Sequence, residues 1–228
     1  MRGRPRRPVR PLLPASARRP AVVIIAVCAI VIAAGGVVAA GNHHGNALDR
    51  PVDSWILRHL GGHYRLLHDV TDIGQGITLL VLTLALILAC LAARRLNGAV
   101  LTAVSLAVAS VLTELVLKPL IGETIGRPAV LSYPSGHTTT AFTLTAVIVV
   151  LLADPPSGRP APGIRLAFAI LALLVGCAVA VSLVGIRYHY FTDTVAGAAV
   201  ATGTVLGCAL LLDLPRIRGW LAGPVRSG

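Results

Sequence analysis

The chain has 228 residues, 55% of them hydrophobic, with a mean hydropathy of +0.81 and only 13% charged. That is too apolar for an ordinary soluble domain and too long for one membrane anchor; a helical span needs about 20 apolar residues, so several fit. The formal net charge of +11 would suggest nucleic acid in a soluble protein, but here the cations cluster at the N-terminus and in short loops between apolar runs, as membrane topology requires, and nucleic acid is not an expected partner.

Residues 1–20 hold seven Arg and five Pro without apolar periodicity, which predicts a disordered basic tail. A first span follows at about 21–41. Ala21–Ala40 can also be read as a signal-peptide core with Ala39-Ala40-Gly41 as its cleavage site, but twenty residues exceed the usual ~7–15. Arg18-Arg19 is a pair that chance supplies in so Arg-rich a tail.

Residues 42–73 form a polar loop with five of the seven histidines. Val52, Trp55, Ile56 and Leu60 recur at helical spacing, and Tyr64 and Leu67 follow the Gly61-Gly62 break, predicting a short amphipathic segment in the membrane interface. His43, His44, His59, His63 and His68 lack convincing metal-ligand spacing and read as imidazoles in a wet loop. Cys28, Cys90, Cys177 and Cys208 fall inside apolar runs at unrelated spacings, so neither disulfides nor zinc are expected.

Further spans are predicted at about 74–93, 98–117, 137–153, 166–186 and 194–213. The third carries Glu114 one turn before Lys118, an ionisable residue that is either functional or simply the structural partner of that lysine. Residues 214–228 form a short C-terminal tail. The expected fold is all-α: a polytopic six-helix transmembrane bundle (residues 21–213) with a short amphipathic outer-face segment. With six spans, 14 of the 20 Lys and Arg share the side of both termini. The positive-inside rule then makes both tails cytoplasmic and turns Lys118–His137 and Arg187–Asp193 outward, at the plasma membrane's outer surface.

That surface gathers Lys118, Arg127, Ser135, His137, Arg187, His189 and Asp193. Cations beside a new helix N-terminus describe an anion site, and Ser135 is a natural N-cap. Asp193 stands four residues after His189, the spacing at which a carboxylate holds one imidazole nitrogen and frees the other to attack. His137 is then available as acid or base. These residue types suit phosphoryl transfer without a metal or cofactor; alternatively they rim a bundle against anionic headgroups.

The chain resembles the type 2 phosphatidic acid phosphatases of the lipid phosphate phosphatase and vanadium haloperoxidase superfamily, marked by K-x6-R-P, P-S-G-H and S-R-x5-H-x3-D. Pro134-Ser135-Gly136-His137 matches the second motif unaltered, and His189-Tyr190-Phe191-Thr192-Asp193 supplies H-x3-D. Leu48-Asp49-Arg50 and Thr71-Asp72-Ile73-Gly74 resemble the family's outer loop, and the likeness covers about residues 45–212. Two positions depart from the pattern. Lys118 and Arg127-Pro128 are separated by eight intervening residues rather than six, Glu123 among them, and the third motif's Arg falls on Leu183. Arg187, one helical turn beyond Leu183, is expected to take that role. The resemblance implies hydrolysis of a membrane lipid mono- or diphosphate, of phosphatidic acid or polyprenyl diphosphate type. His189 would be the nucleophile, Asp193 its orienting group and His137 the acid and base. Lys118, Arg127, Ser135, Gly136 and Arg187 would bind phosphate. Two other outcomes share this scaffold: a phosphotransferase serving another acceptor, and a non-catalytic lipid-binding relative.

Overall fold

A computed structural model of the chain describes residues 10–126, 128–153 and 161–221. The helices are α1 (Ala15–Ala39), α2 (Asp49–Leu60), α3 (Tyr64–Thr71), α4 (Gly76–Ala92), α5 (Leu96–Val111), α6 (Lys118–Ile121), α7 (Gly136–Ala153), α8 (Pro162–Gly185), α9 (Phe191–Leu212) and α10 (Pro215–Leu221). A two-stranded antiparallel hairpin, β1 (Thr124–Ile125) with β2 (Val130–Leu131), separates α6 from α7.

Among the described residues, five helical stretches are long and apolar enough to cross a membrane: α1, the continuous run from α5 through α6, α7, α8 and α9. The stretch from α2 to Gly74 and the 17-residue α4 form a pair bent by 44° that supplies a sixth. The protein is an all-α polytopic membrane bundle. The lipid-facing sides of α1, α4 and α8 expose Val, Ile and Leu, while the shared interior is lined by small residues and threonines.

α9 is the central helix, packed against α1, α5 and α7. Its small residues allow this, and Gly197 is the tightest case: a Cβ there would stand 2.6 Å from the Ser135 carbonyl oxygen. α5 continues into α6 through a π-helical turn at Leu112–Leu117. Pro119 lacks the N–H that would close onto the preceding turn, and the wider turn leaves room for its ring.

Several boundaries differ from the sequence expectation. Part of the stretch expected as a free basic tail is packed. α1 begins at Ala15, and the buried Leu12 and Leu13 donate their N–H groups to Asp213 Oδ1 and Oδ2 at 2.7 and 2.9 Å. Two side chains apolar enough to enter the core, and a carboxylate closing α9, account for this. The C-terminal stretch expected as tail contains α10. α1 also belongs to the bundle at its other end, where the wholly buried Tyr133 donates its hydroxyl to the Ile32 carbonyl at 2.8 Å. The amphipathic segment forms as α2 and α3, joined by a 3-10 turn at Gly61–His63, with Trp55 and Tyr64 exposed.

Candidate active site

Everything at the site end depends on how the first turn of α9 is held. Its free N–H groups meet a ring of carboxylates: Tyr190 N–H donates to Asp193 Oδ2 at 3.0 Å, Phe191 N–H to Asp53 Oδ1 at 3.1 Å, and Thr192 N–H to Asp49 Oδ1 at 2.8 Å. Each satisfies a donor that the helix itself leaves unpaired. Asp49 and Asp53 lie one turn apart on α2, so the amphipathic segment clamps the helix that carries the site. Asp49 came into the sequence reading only through its likeness to a family loop, and Asp53 carried no signal.

His189 sits just before that helix, 8% exposed, and its Nδ1–H donates to Asp193 Oδ2 at 3.2 Å. The spacing expected from the sequence is therefore a real contact. Burial, reinforced by the charge of Lys118, pushes the imidazole down to about 3, so it is a neutral base at physiological pH.

His137 faces it from the first turn of α7, with ring centroids 6.3 Å apart. Its partner is not a carboxylate. Gln75 Nε2 donates to Asp72 Oδ1 at 2.9 Å, which turns Gln75 Oε1 toward His137 Nε2 at 2.5 Å and assigns the ring proton to Nε2. Gln75 is a residue the sequence reading missed, because a lone Gln before an apolar run carries no signal.

Ser135 caps α7 as expected, its Oγ accepting the Thr138 N–H at 3.3 Å. Its side chain is wholly buried. Its own N–H donates to the Asp193 carbonyl at 3.0 Å, tying the Pro-Ser-Gly-His loop to α9. Gly136 lines the cavity. A Cβ there would lie 2.2 Å from Glu114 Oε1 and 3.7 Å from Lys118 Nζ, so only glycine leaves room for that ion pair. The pair itself spans 2.8 Å, which makes Glu114 the partner of Lys118.

Arg187 reaches the cavity by a different route from the one expected. α8 stops at Gly185, and Arg187 takes a left-handed conformation (φ 62°) in the turn that follows. Leu183 is wholly buried against Ala141 and Val179, away from the cavity. Arg187 therefore arrives through the turn rather than along the helix face. Arg127 lies outside the described residues. The two extra residues before it belong to the stretch that forms the β1–β2 hairpin, which Gly122 starts in a left-handed conformation.

The cavity at this end has a volume of about 740 Å³, and Gln75, Lys118, Gly136, His137, Arg187 and His189 all line it. The loop histidines are dispersed: His43 Nδ1 meets Thr124 Oγ1 at 2.6 Å and His59 Nδ1 meets its own helix at the Trp55 carbonyl. Among the described residues no three His, Cys, Asp or Glu side chains group as metal ligands.

Comparison with curated proteins gave no match. Among solved structures, the chain is similar to a transmembrane PAP2-type phosphatidylglycerolphosphate phosphatase from Bacillus subtilis, with a TM-score of 0.62 and 18% identity over 91% of this chain and 98% of that one. That likeness speaks to the fold. The PAP2 superfamily model matches residues 98–214, just over half of the chain and the part that carries both histidines, and the chain belongs to the PAP2 superfamily.

Proposed function

We propose that the protein is a membrane phosphatase that hydrolyses lipid mono- or diphosphates through a phosphohistidine intermediate. The observation that carries this reading is His189: a buried neutral imidazole, its Nδ1–H held by Asp193, in a cavity shared with a second histidine and two cations. Family membership supports phosphatase chemistry, and the similar Bacillus subtilis protein, a phosphatidylglycerolphosphate phosphatase by name, supports a lipid phosphate as substrate.

His189 Nε2 attacks phosphorus, and the bond from phosphorus to the lipid alkoxide, or to the leaving phosphate of a diphosphate, breaks. Protonated His137 gives its proton to the leaving oxygen. Water then attacks the phosphohistidine while His137 takes a proton from it, the P–N bond breaks, and inorganic phosphate leaves with His189 restored. Asp193 keeps Nδ1 protonated and balances the charge the ring gains in the first step. Lys118, Arg187 and the Gly136 N–H neutralise the phosphoryl oxygens, with Arg127 completing the set; such preorganised charge is the usual largest contribution to this chemistry.

The distribution of cations supports an orientation with both termini in the cytoplasm and the cavity on the outer side of the plasma membrane. A cavity at the bundle end suits a substrate whose tail stays in lipid. The test is phosphate release by purified protein from a panel comprising phosphatidic acid, phosphatidylglycerolphosphate and a polyprenyl diphosphate, with His189→Ala beside it. Loss of at least about 10³-fold in the variant is expected. Equal release by both proteins would overturn the reading, and phosphate appearing on another acceptor would make the protein a phosphotransferase.

A further inference from the structure

The hydrogen bonds around His189 leave one feature unexplained. Asp193 uses Oδ2 for both His189 and Tyr190, while its Oδ1 is buried without a hydrogen-bond donor of its own, the Ser132 hydroxyl beside it being engaged by Glu123. Glu123 is in the same condition. It is wholly buried, its Oε2 accepts the Ser132 hydroxyl at 3.3 Å, and its Oε1 has no such donor. The two carboxyl groups stand within interaction range of each other, and Glu123 Oε1 and Asp193 Oδ1 are the oxygens left without another partner. Two carboxylates can pair only with a proton between them, since each alone is only an acceptor.

Position alone would not place an acid here. Glu123 follows the left-handed Gly122, its carbonyl accepts the Ser132 N–H at 3.0 Å, and Thr124 N–H donates to the Asn42 carbonyl at 3.0 Å. The hairpin that follows α6 thus holds the buried side chain beside Asp193. Asp193 and Asp49 are the other carboxylates facing it, Tyr133 and Tyr190 are the phenols beside it, and Ser132 is its hydroxyl partner.

We propose that Glu123 is a positioning residue for the nucleophile: as a neutral acid it donates to Asp193 Oδ1, which fixes the carboxylate so that Oδ2 stays on His189 Nδ1–H. The proposal rests on the phosphatase reading above. Burial, strengthened by Asp193 and Asp49, pushes the Glu123 carboxyl up to about 9, consistent with a neutral acid at physiological pH. Removing the donor leaves a buried carboxylate oxygen unpaired, a cost of a size that shifts turnover about 10–100-fold.

The experiment uses full-length protein in detergent, with dioleoyl phosphatidic acid in mixed micelles as probe. Glu123→Leu is expected to lower kcat about 10–100-fold with little change in KM. Glu123→Gln, whose amide can donate to Asp193 and accept from Ser132, should restore kcat to within about threefold. The ratio of Glu123→Gln to wild-type turnover separates positioning from packing. It should be flat through neutral pH and rise as pH passes about 9, where only the wild type loses its donor. A flat ratio throughout, or a wild-type rate in Glu123→Leu, would overturn the proposal. If Glu123→Leu does not fold, the ratio alone decides. His189→Ala run in parallel keeps the two claims apart: an active His189→Ala refutes the phosphatase reading, whereas an inactive one with a flat Glu123→Gln ratio refutes only the role of Glu123.

Discussion

The two histidines face each other across 6.3 Å, yet they are held by opposite kinds of chemistry. His189 rests on Asp193, which is wholly buried and backed by a second buried carboxyl. His137 rests on the neutral amide of Gln75, itself oriented by Asp72. A carboxylate behind an imidazole stabilises the positive charge that a nucleophilic nitrogen acquires. An amide fixes a tautomer without opposing release of the proton. The difference suits a division of labour in which one ring bonds to phosphorus and the other exchanges protons.

The largest test of that contrast is Asp193→Asn. It preserves shape while removing the charge and allowing the wrong tautomer, and kcat for phosphate release is expected to fall about 10³–10⁴-fold. A loss below tenfold would mean that His189 does not need the carboxylate. Gln75→Leu strips His137 of its partner and should cost about 5–30-fold in kcat with KM preserved, as one hydrogen bond to a neutral group would. Should Gln75→Leu prove as damaging as Asp193→Asn, the contrast would collapse.

A subtler test concerns stability. Glu123 keeps its proton in the folded state up to about pH 9, whereas its ordinary value is 4.5. Between those values the folded protein binds a proton that the unfolded chain has released. Its contribution is complete below the lower value and fades as pH rises to the upper one. The thermal midpoint in detergent should therefore fall from about pH 6 to pH 8, and Glu123→Gln should flatten that slope. The smallest effect on catalysis belongs to the opposite end of the bundle. Asp213→Asn weakens the two bonds to Leu12 and Leu13 and should lower stability by about 1–3 kcal/mol while leaving kcat as it was.

Much of the molecule can be read along the chain. Apolar runs of about twenty residues declare helices because lipid leaves backbone groups no other partners. The His189–Asp193 contact follows from i, i+4 spacing, and the cap at Ser135 from its place before a new helix. Other features depend on residues far apart in sequence. Gln75 meets His137 across 62 positions, and the Asp49 carboxylate meets the Thr192 N–H across 143. Nothing in the local pattern of a Gln or an Asp indicates such a partner. Arg187 shows the same limit on a smaller scale: helical periodicity would carry it along α8, but the helix ends at Gly185 and a left-handed turn sets its direction.

What the sequence determined by itself was the membrane-helical class, the order of the motifs and the pairing of His189 with Asp193, because hydropathy and helical spacing act locally. Only the tertiary structure decided what stands behind each histidine. It set Gln75 on one ring, and it drew the inserted Glu123 into the interior against Asp193. A buried carboxyl takes its protonation state from the groups folded around it, and those come from three separate stretches of the chain.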